Sequence, residues 1–222
     1  IILTDCRLDN FYGLFGIYEI NYYSSIALSI FIFVVTINSY NLIDGIDGLA
    51  SGYGIIAMIS FLFLNLTTNN TVGLILSVTI IGSLAGFLKF NLNEGKRKIF
   101  MGDTGSLVVG FLISVIVLII LSSKNDYSQI TNNIPVLVLS ILSFPYIDTL
   151  RVMFIRKKNG KKFFEPDKNH IHHKLINAGK THKKSSLIIL SVYVSSILFC
   201  ILFQKLDITT HFFISLLYSL LS

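Results

Sequence analysis

Asn38-Ser39-Tyr40-Asn41-Leu42-Ile43-Asp44-Gly45-Ile46-Asp47-Gly48-Leu49-Ala50 sets two carboxylates, two carboxamides and two glycines between long apolar runs. Such groups are costly in or near a bilayer unless they face a partner, a metal or water. A glycine after each aspartate lets the backbone turn tightly and lets a ligand approach closely. Spacings of three put Asn38, Asn41 and Asp44 on one helical face, and Asp47 follows three residues later, past the glycine. A helix cap or an Asp-Gly turn would account for one of these groups, but not for the whole pattern. An EF-hand is excluded, because ligands at alternate positions and the closing glutamate are missing. The stretch therefore predicts a phosphate-handling, metal-dependent site at a membrane surface.

The flanking sequence supplies the membrane. Runs of about 20 apolar residues match the hydrocarbon thickness of a bilayer. Such runs cover Ser24–Ile43, Leu49–Leu66, Val72–Phe90, Ser106–Leu121, Pro135–Ile155 and Ser186–Phe203, and a seventh, partial run begins near His211. The expected fold is an all-α polytopic membrane protein with six complete transmembrane helices and a partial seventh. It forms one integral-membrane domain over residues 1–222. Residues 1–23 include Thr4–Asn21, where aromatic and β-branched residues around glycines suggest a short hairpin on the outer interface.

In a soluble protein a net charge of +6 would suggest nucleic acid, but here the Lys and Arg residues fall mainly in Lys96–Lys98 and in the connection Arg156–Lys184. The other connections carry only Lys124 and Lys205, an asymmetry that reads as positive-inside. Alternate crossings from residue 23 put Asp44–Gly48, Asn91–Asp103 and Arg156–Lys184 on that same face. Charge and parity thus agree on a cytoplasmic site, with a lipid bilayer and no nucleic acid as partner. Cys6 and Cys200 are too few and too far apart for a disulfide framework. A chain that opens on Ile1-Ile2-Leu3-Thr4 reads as the C-terminal part of a longer, N-terminally truncated one.

Two further stretches carry chemistry. Phe100-Met101-Gly102-Asp103-Thr104-Gly105-Ser106 puts a carboxylate between glycines at a helix start. Free N–H groups and a partial positive charge make that position suited to phosphate. Asp103 there would repel phosphate unless a divalent cation intervened, and Mg²⁺ fits because it favours a carboxylate, waters and substrate phosphates. No lysine follows the last glycine, so this is not a Walker motif. Asp167-Lys168-Asn169-His170-Ile171-His172-His173-Lys174 lies in residues 156–185 among lysines and suits anion binding or proton handling. Zinc is the alternative, though no cysteine lies nearby. Asp148 and Arg151, three apart, read as an intrahelical pair, and His182 and His211 as incidental.

Together these three stretches resemble the polyprenyl-phosphate N-acetylhexosamine-1-phosphate transferase family, glycosyltransferase family 4. Asn38–Ala50, Phe100–Ser106 and His170–His173 match its three motifs in order and sidedness. The resemblance implies transfer of a sugar 1-phosphate from a UDP-N-acetylhexosamine to undecaprenyl phosphate with release of UMP, at the cytoplasmic side of a bacterial plasma membrane. It implies Mg²⁺, with Mn²⁺ able to substitute, and admits a homodimer. Carried over by position, Asp103, Asn41 and Asp44 hold the metal. Asp44, Asp47, Asp103 and His170 are the catalytic candidates. Asn38, Asn41, Asp47, Asn91, His170, His172 and His173 bind substrate, with Asp47 and Asn91 near the uridine. The family's Asp-Asp pair would lie upstream of Ile1, so this segment by itself is expected to show no turnover. His-Ile-His-His resembles the N-acetylglucosamine branch, whereas the branch using UDP-muramoyl-pentapeptide typically has three consecutive histidines. A secondary transporter is the reading from another class, but its polar groups would sit near the membrane midplane.

Overall fold

The computed structural model describes residues 6–122, 127, 131, 133–160 and 170–222. Helices run over Tyr22–Ile43 (α1), Leu49–Thr67 (α2), Thr71–Asn91 (α3), Gly102–Leu121 (α4), Ile134–Lys158 (α5), Ile171–Asn177 (α6), His182–Leu202 (α7) and Ile208–Leu221 (α8). All of these except α6 and α8 are long and apolar enough to cross a membrane, which makes this a multi-pass membrane protein. The spans match the six expected runs, with starts shifted by local caps. α7 begins at His182 rather than Ser186 because Thr181 accepts from Lys184 N at 3.3 Å. α8 begins at Ile208 because the Asp207 carboxylate accepts from Thr209 N and Thr210 N. α4 begins at Gly102 rather than Ser106, which places Asp103 in its first turn.

The expected N-terminal hairpin is a loop rather than a pair of strands. One antiparallel bridge joins Asn10 and Glu19, and between them Tyr12, Gly13, Phe15 and Gly16 all have positive φ around a short 3-10 turn. So many left-handed residues break a ladder. Ser25 Oγ and Ser29 Oγ of α1 hold the loop through Leu8, and the Phe15 ring packs on Phe212 and Phe213 of α8. Residues 1–5 lie outside the described residues. Cys6 and Cys200 are both free thiols.

α2 is the most enclosed span and α3 the least. A tyrosine cluster builds the centre: Tyr40, Tyr53 and Tyr193 are all buried, with ring centroids 6.0 Å (Tyr40–Tyr53) and 4.9 Å (Tyr53–Tyr193) apart. Their hydroxyls account for a backbone defect. Pro145 lies inside α5 and has no N–H for the carbonyl of Ile141 four residues back. Tyr193 of α7 and Tyr53 of α2 donate to that carbonyl at 2.7 and 3.2 Å, so one proline ties three helices together. α1 packs along α4 with very close backbones: a Cβ at Gly110 would stand 3.0 Å from Ile37 Cα. The connections 44–48 and 92–101 and residues 170–181 gather at one end of the bundle, hereafter the motif face.

Candidate functional site

The first motif ends α1 and starts α2 within five residues. Asp44 caps α1, its N–H bonded to Asn41 O at 3.2 Å. Gly48 precedes α2 with φ +79°, a left-handed conformation that suits glycine. Its N–H donates to Asn91 Oδ1 at 2.7 Å, while Asn91 Nδ2 donates to Ile99 O at 3.0 Å. Buried Asn91 thus fastens the α1–α2 turn to the segment leading into Asp103.

That bracing sets two carboxylates side by side. Asn41 Nδ2 lies 3.3 Å from Asp103 Oδ1 and 2.7 Å from Ser106 Oγ, joining the end of α1 to the first turn of α4. Asp44 accepts a backbone hydrogen bond from Gly102. Burial, and then the negative charge of Asp103, raise the Asp44 carboxyl to about 6. Gly102 and Asp103 are exposed, so the pair opens onto the motif face. Two neighbouring carboxylates, one of them bonded by the Asn41 amide nitrogen, are a hard oxygen donor set whose charges repel each other. Such a set suits a dication that keeps waters and takes substrate phosphates. Among the described residues, no group of three or more His, Cys, Asp or Glu is arranged to hold a metal.

Asp47 joins different neighbours. Its carboxylate meets Lys98 Nζ at 2.7 Å and His182 Nδ1 at 3.5 Å, and its carbonyl accepts from Ser186 Oγ at 2.7 Å. Asp47 therefore clasps the 92–101 connection and the start of α7 to the α1–α2 turn, and His182 is part of that clasp rather than incidental. Lys98 Nζ also stands 5.1 Å from the ring centre of Phe100, an aromatic side chain 75% exposed beside the carboxylates. Asn38, at the exposed flank of α1, donates to Val34 O of its own helix.

The histidines reach the same place from the other half of the chain. His172 is 2% exposed and packs directly on Gly45, where an added Cβ would collide with its Nε2. This explains the glycine after Asp44 by a close approach. Burial, then the neighbouring His173 and His170, lower the His172 imidazole to about 4, so it is neutral near pH 7. The rings of His170 and His172 stack at 5.6 Å, and His173 lies 4.3 Å from His172. The Asp148–Arg151 pair is present at 3.1 Å, but its reading as only an intrahelical pair needs correction. Asp148 Oδ2 also meets His170 Nδ1 at 2.7 Å, and Oδ1 accepts from Ile171 N at 3.0 Å. The signal for this was in the sequence: an acid within an apolar span requires a partner. Asp167, Lys168 and Asn169 lie outside the described residues. His211 sits in α8 with Asn133 and Cys200, apart from these groups.

The glycosyl transferase family 4 profile matches residues 1–121. A Bacillus subtilis (strain 168) protein named probable undecaprenyl-phosphate N-acetylglucosaminyl 1-phosphate transferase is 40% identical over 152 residues, which is 68% of this chain and 40% of that protein. The Mycobacterium tuberculosis (strain H37Rv) decaprenyl-phosphate N-acetylglucosaminephosphotransferase is 30% identical over 186 residues, 75% of this chain and 44% of the relative. The Escherichia coli (strain K12) undecaprenyl-phosphate alpha-N-acetylglucosaminyl 1-phosphate transferase is 31% identical over 164 residues, 73% of this chain and 43% of the relative. The chain spans less than half the length of each of these curated relatives.

Proposed function

The chain belongs to glycosyl transferase family 4, and we propose that it serves transfer of N-acetylglucosamine 1-phosphate, or a close N-acetylhexosamine 1-phosphate, from a UDP-sugar to undecaprenyl phosphate. UMP leaves, the sugar keeps its phosphate, and a lipid-linked diphosphate sugar forms as the first step of a cell-envelope polysaccharide. The observation that carries this reading is the joining of Asn41, Asp44 and Asp103 at one end of the bundle, with His172 of the histidine cluster packed on Gly45 beside them. The names of the relatives support the sugar and the lipid acceptor.

Asp103, Asp44 and Asn41 are the residues that would hold Mg²⁺, with Mn²⁺ able to substitute. Bound there, the cation would supply charge neutralisation for the diphosphate. Phosphoryl transfer rests mostly on positioning and neutralisation, and the chain's own groups provide for both. Asn41 keeps α1 and α4 in register, and Asn91 holds the turn that carries Asp44. His170, His172 and His173 face the phosphates or the sugar. The Lys and Arg residues of the motif face support a cytoplasmic position for it, and the bacterial relatives support a plasma membrane.

The test is UMP release by membranes carrying the complete reading frame, with undecaprenyl phosphate and Mg²⁺. UDP-N-acetylglucosamine is compared with UDP-muramoyl-pentapeptide, and Asp103→Asn is the control. Release from the first donor, lost in the variant, is the expected result. Release from the second donor only would move the protein to peptidoglycan synthesis. No release from either would overturn the reading.

A further inference from the structure

Among the described residues Asp148 is the one fully buried carboxylate, 1% exposed near the motif-face end of α5. An ionised carboxylate can only accept hydrogen bonds. His170 Nδ1, at 2.7 Å from Oδ2, must therefore carry its hydrogen toward Asp148, which leaves Nε2 as the ring atom that can meet an incoming group. The other oxygen accepts from Ile171 N at 3.0 Å and from Arg151 at 3.1 Å. One carboxylate thus fixes the tautomer and orientation of His170 and also the first backbone N–H of α6. Two residues on, His172 rests on Gly45. The histidine segment is held between α5 on one side and the Asp44 turn on the other.

We infer that Asp148 is a positioning residue for the transfer, acting through His170, so that Nε2 of His170 is presented to the phosphates. This rests on the reaction proposed above. A pair that merely stabilised α5 would need Arg151 alone. The bonds to His170 and Ile171 tie Asp148 to the substrate-facing segment instead. Carboxylates that orient an imidazole in this way commonly contribute about 10- to 100-fold to activity.

The experiment uses the complete protein in detergent with UDP-N-acetylglucosamine, undecaprenyl phosphate and Mg²⁺. Asp148→Asn keeps the shape and can still accept from Ile171, but its amide N–H₂ drives the imidazole proton to Nε2. The expected result is a kcat lower by about 10- to 100-fold, with KM for the UDP-sugar changed less than about threefold. The ¹⁵N-histidine NMR signal assigned through His170→Gln is expected to change from the Nδ1–H to the Nε2–H tautomer. In a His170→Ala background, Asp148→Asn is expected to remove little more, because both changes break the same device. A kcat within twofold of the parent, losses that multiply in the double variant, or an unchanged tautomer would overturn the inference. If the parent releases no UMP, the reaction itself is wrong, and the tautomer measurement alone then decides the Asp148–His170 link.

Discussion

Asn41 donates to Asp103 across 3.3 Å, although 62 residues separate them in the chain. The bond sets where α1 and α4 place their polar ends, and the carboxylate pair depends on it.

Removing either carboxylate removes negative charge from the site, whereas removing Asn41 takes away the amide that joins α1 to α4. Asp103→Asn and Asp44→Asn are each expected to lower UMP release by about 100-fold or more, and Asn41→Ala by about 10-fold. Thermal unfolding of Asn41→Ala should remain near that of the parent, and near pH 7 that of Asp103→Asn and Asp44→Asn should lie at or above it, because either change relieves the repulsion in the pair. A fully active Asp103→Asn would remove Asp103 from the site.

The shift of Asp44 sets a pH dependence. Its carboxyl in the folded protein stands near 6, above the ordinary 3.8. Below about 3.8 the group is protonated in both states, so it has no effect on stability. Between those values the unfolded chain loses the proton first, and above 6 the ionised pair destabilises the folded protein by its full amount. Mg²⁺ should therefore raise the melting temperature most above pH 6. Its apparent affinity should fall by up to about tenfold per pH unit below that value. Melting curves with and without Mg²⁺ at pH 5 and pH 7.5 check both statements.

Gly45 is fitted to His172. A Cβ at residue 45 would strike the imidazole, which is already buried. Gly45→Ala is expected to cost about 1–3 kcal/mol of stability, or to displace the histidine segment with loss of UMP release. Adding His172→Ala should restore most of the lost stability, though not the activity. Equal damage in the single and double variants would show that the ring is not the obstacle.

The Ile141 carbonyl has two tyrosine donors, so either one can cover for the other. Tyr53→Phe and Tyr193→Phe should each cost less than about 1 kcal/mol. The double variant should exceed their sum, because the carbonyl freed by Pro145 is then left with neither donor. Thermal melting of the four proteins measures the excess directly.

Much of this was legible in the chain. The apolar runs marked six spans to within a few residues, because the hydrocarbon thickness leaves a helix little choice of length. Parity put Asn41, Asp44 and Asp103 on one face, and their pairing was what the family resemblance implied. Partners that lie far apart in sequence and are selected by packing were not visible. Asp148 read as half of a local pair, since nothing in α5 itself points to a histidine 22 residues later. Asp47 gave no sign of Lys98, from the 92–101 connection, or of His182 and Ser186, from the start of α7. Asn91 was placed near the uridine by resemblance, yet both ends of its amide are bound to backbone. The N-terminal loop had strand composition without strand geometry, because four positive-φ residues fell within it.

Gly110 gives the α1–α4 pair the mechanics of tongs. The pivot lies where its backbone meets Ile37, inside the bilayer, and the tips are Asn41 and Asp103, about 6 Å and about 10 Å along their helices. The gap between the tips thus depends on how closely two backbones cross in hydrocarbon as well as on the Asn41–Asp103 bond at the water face. A methyl group inserted at the pivot would spread the tips without touching them, so the chemistry at the surface is gauged from within the membrane.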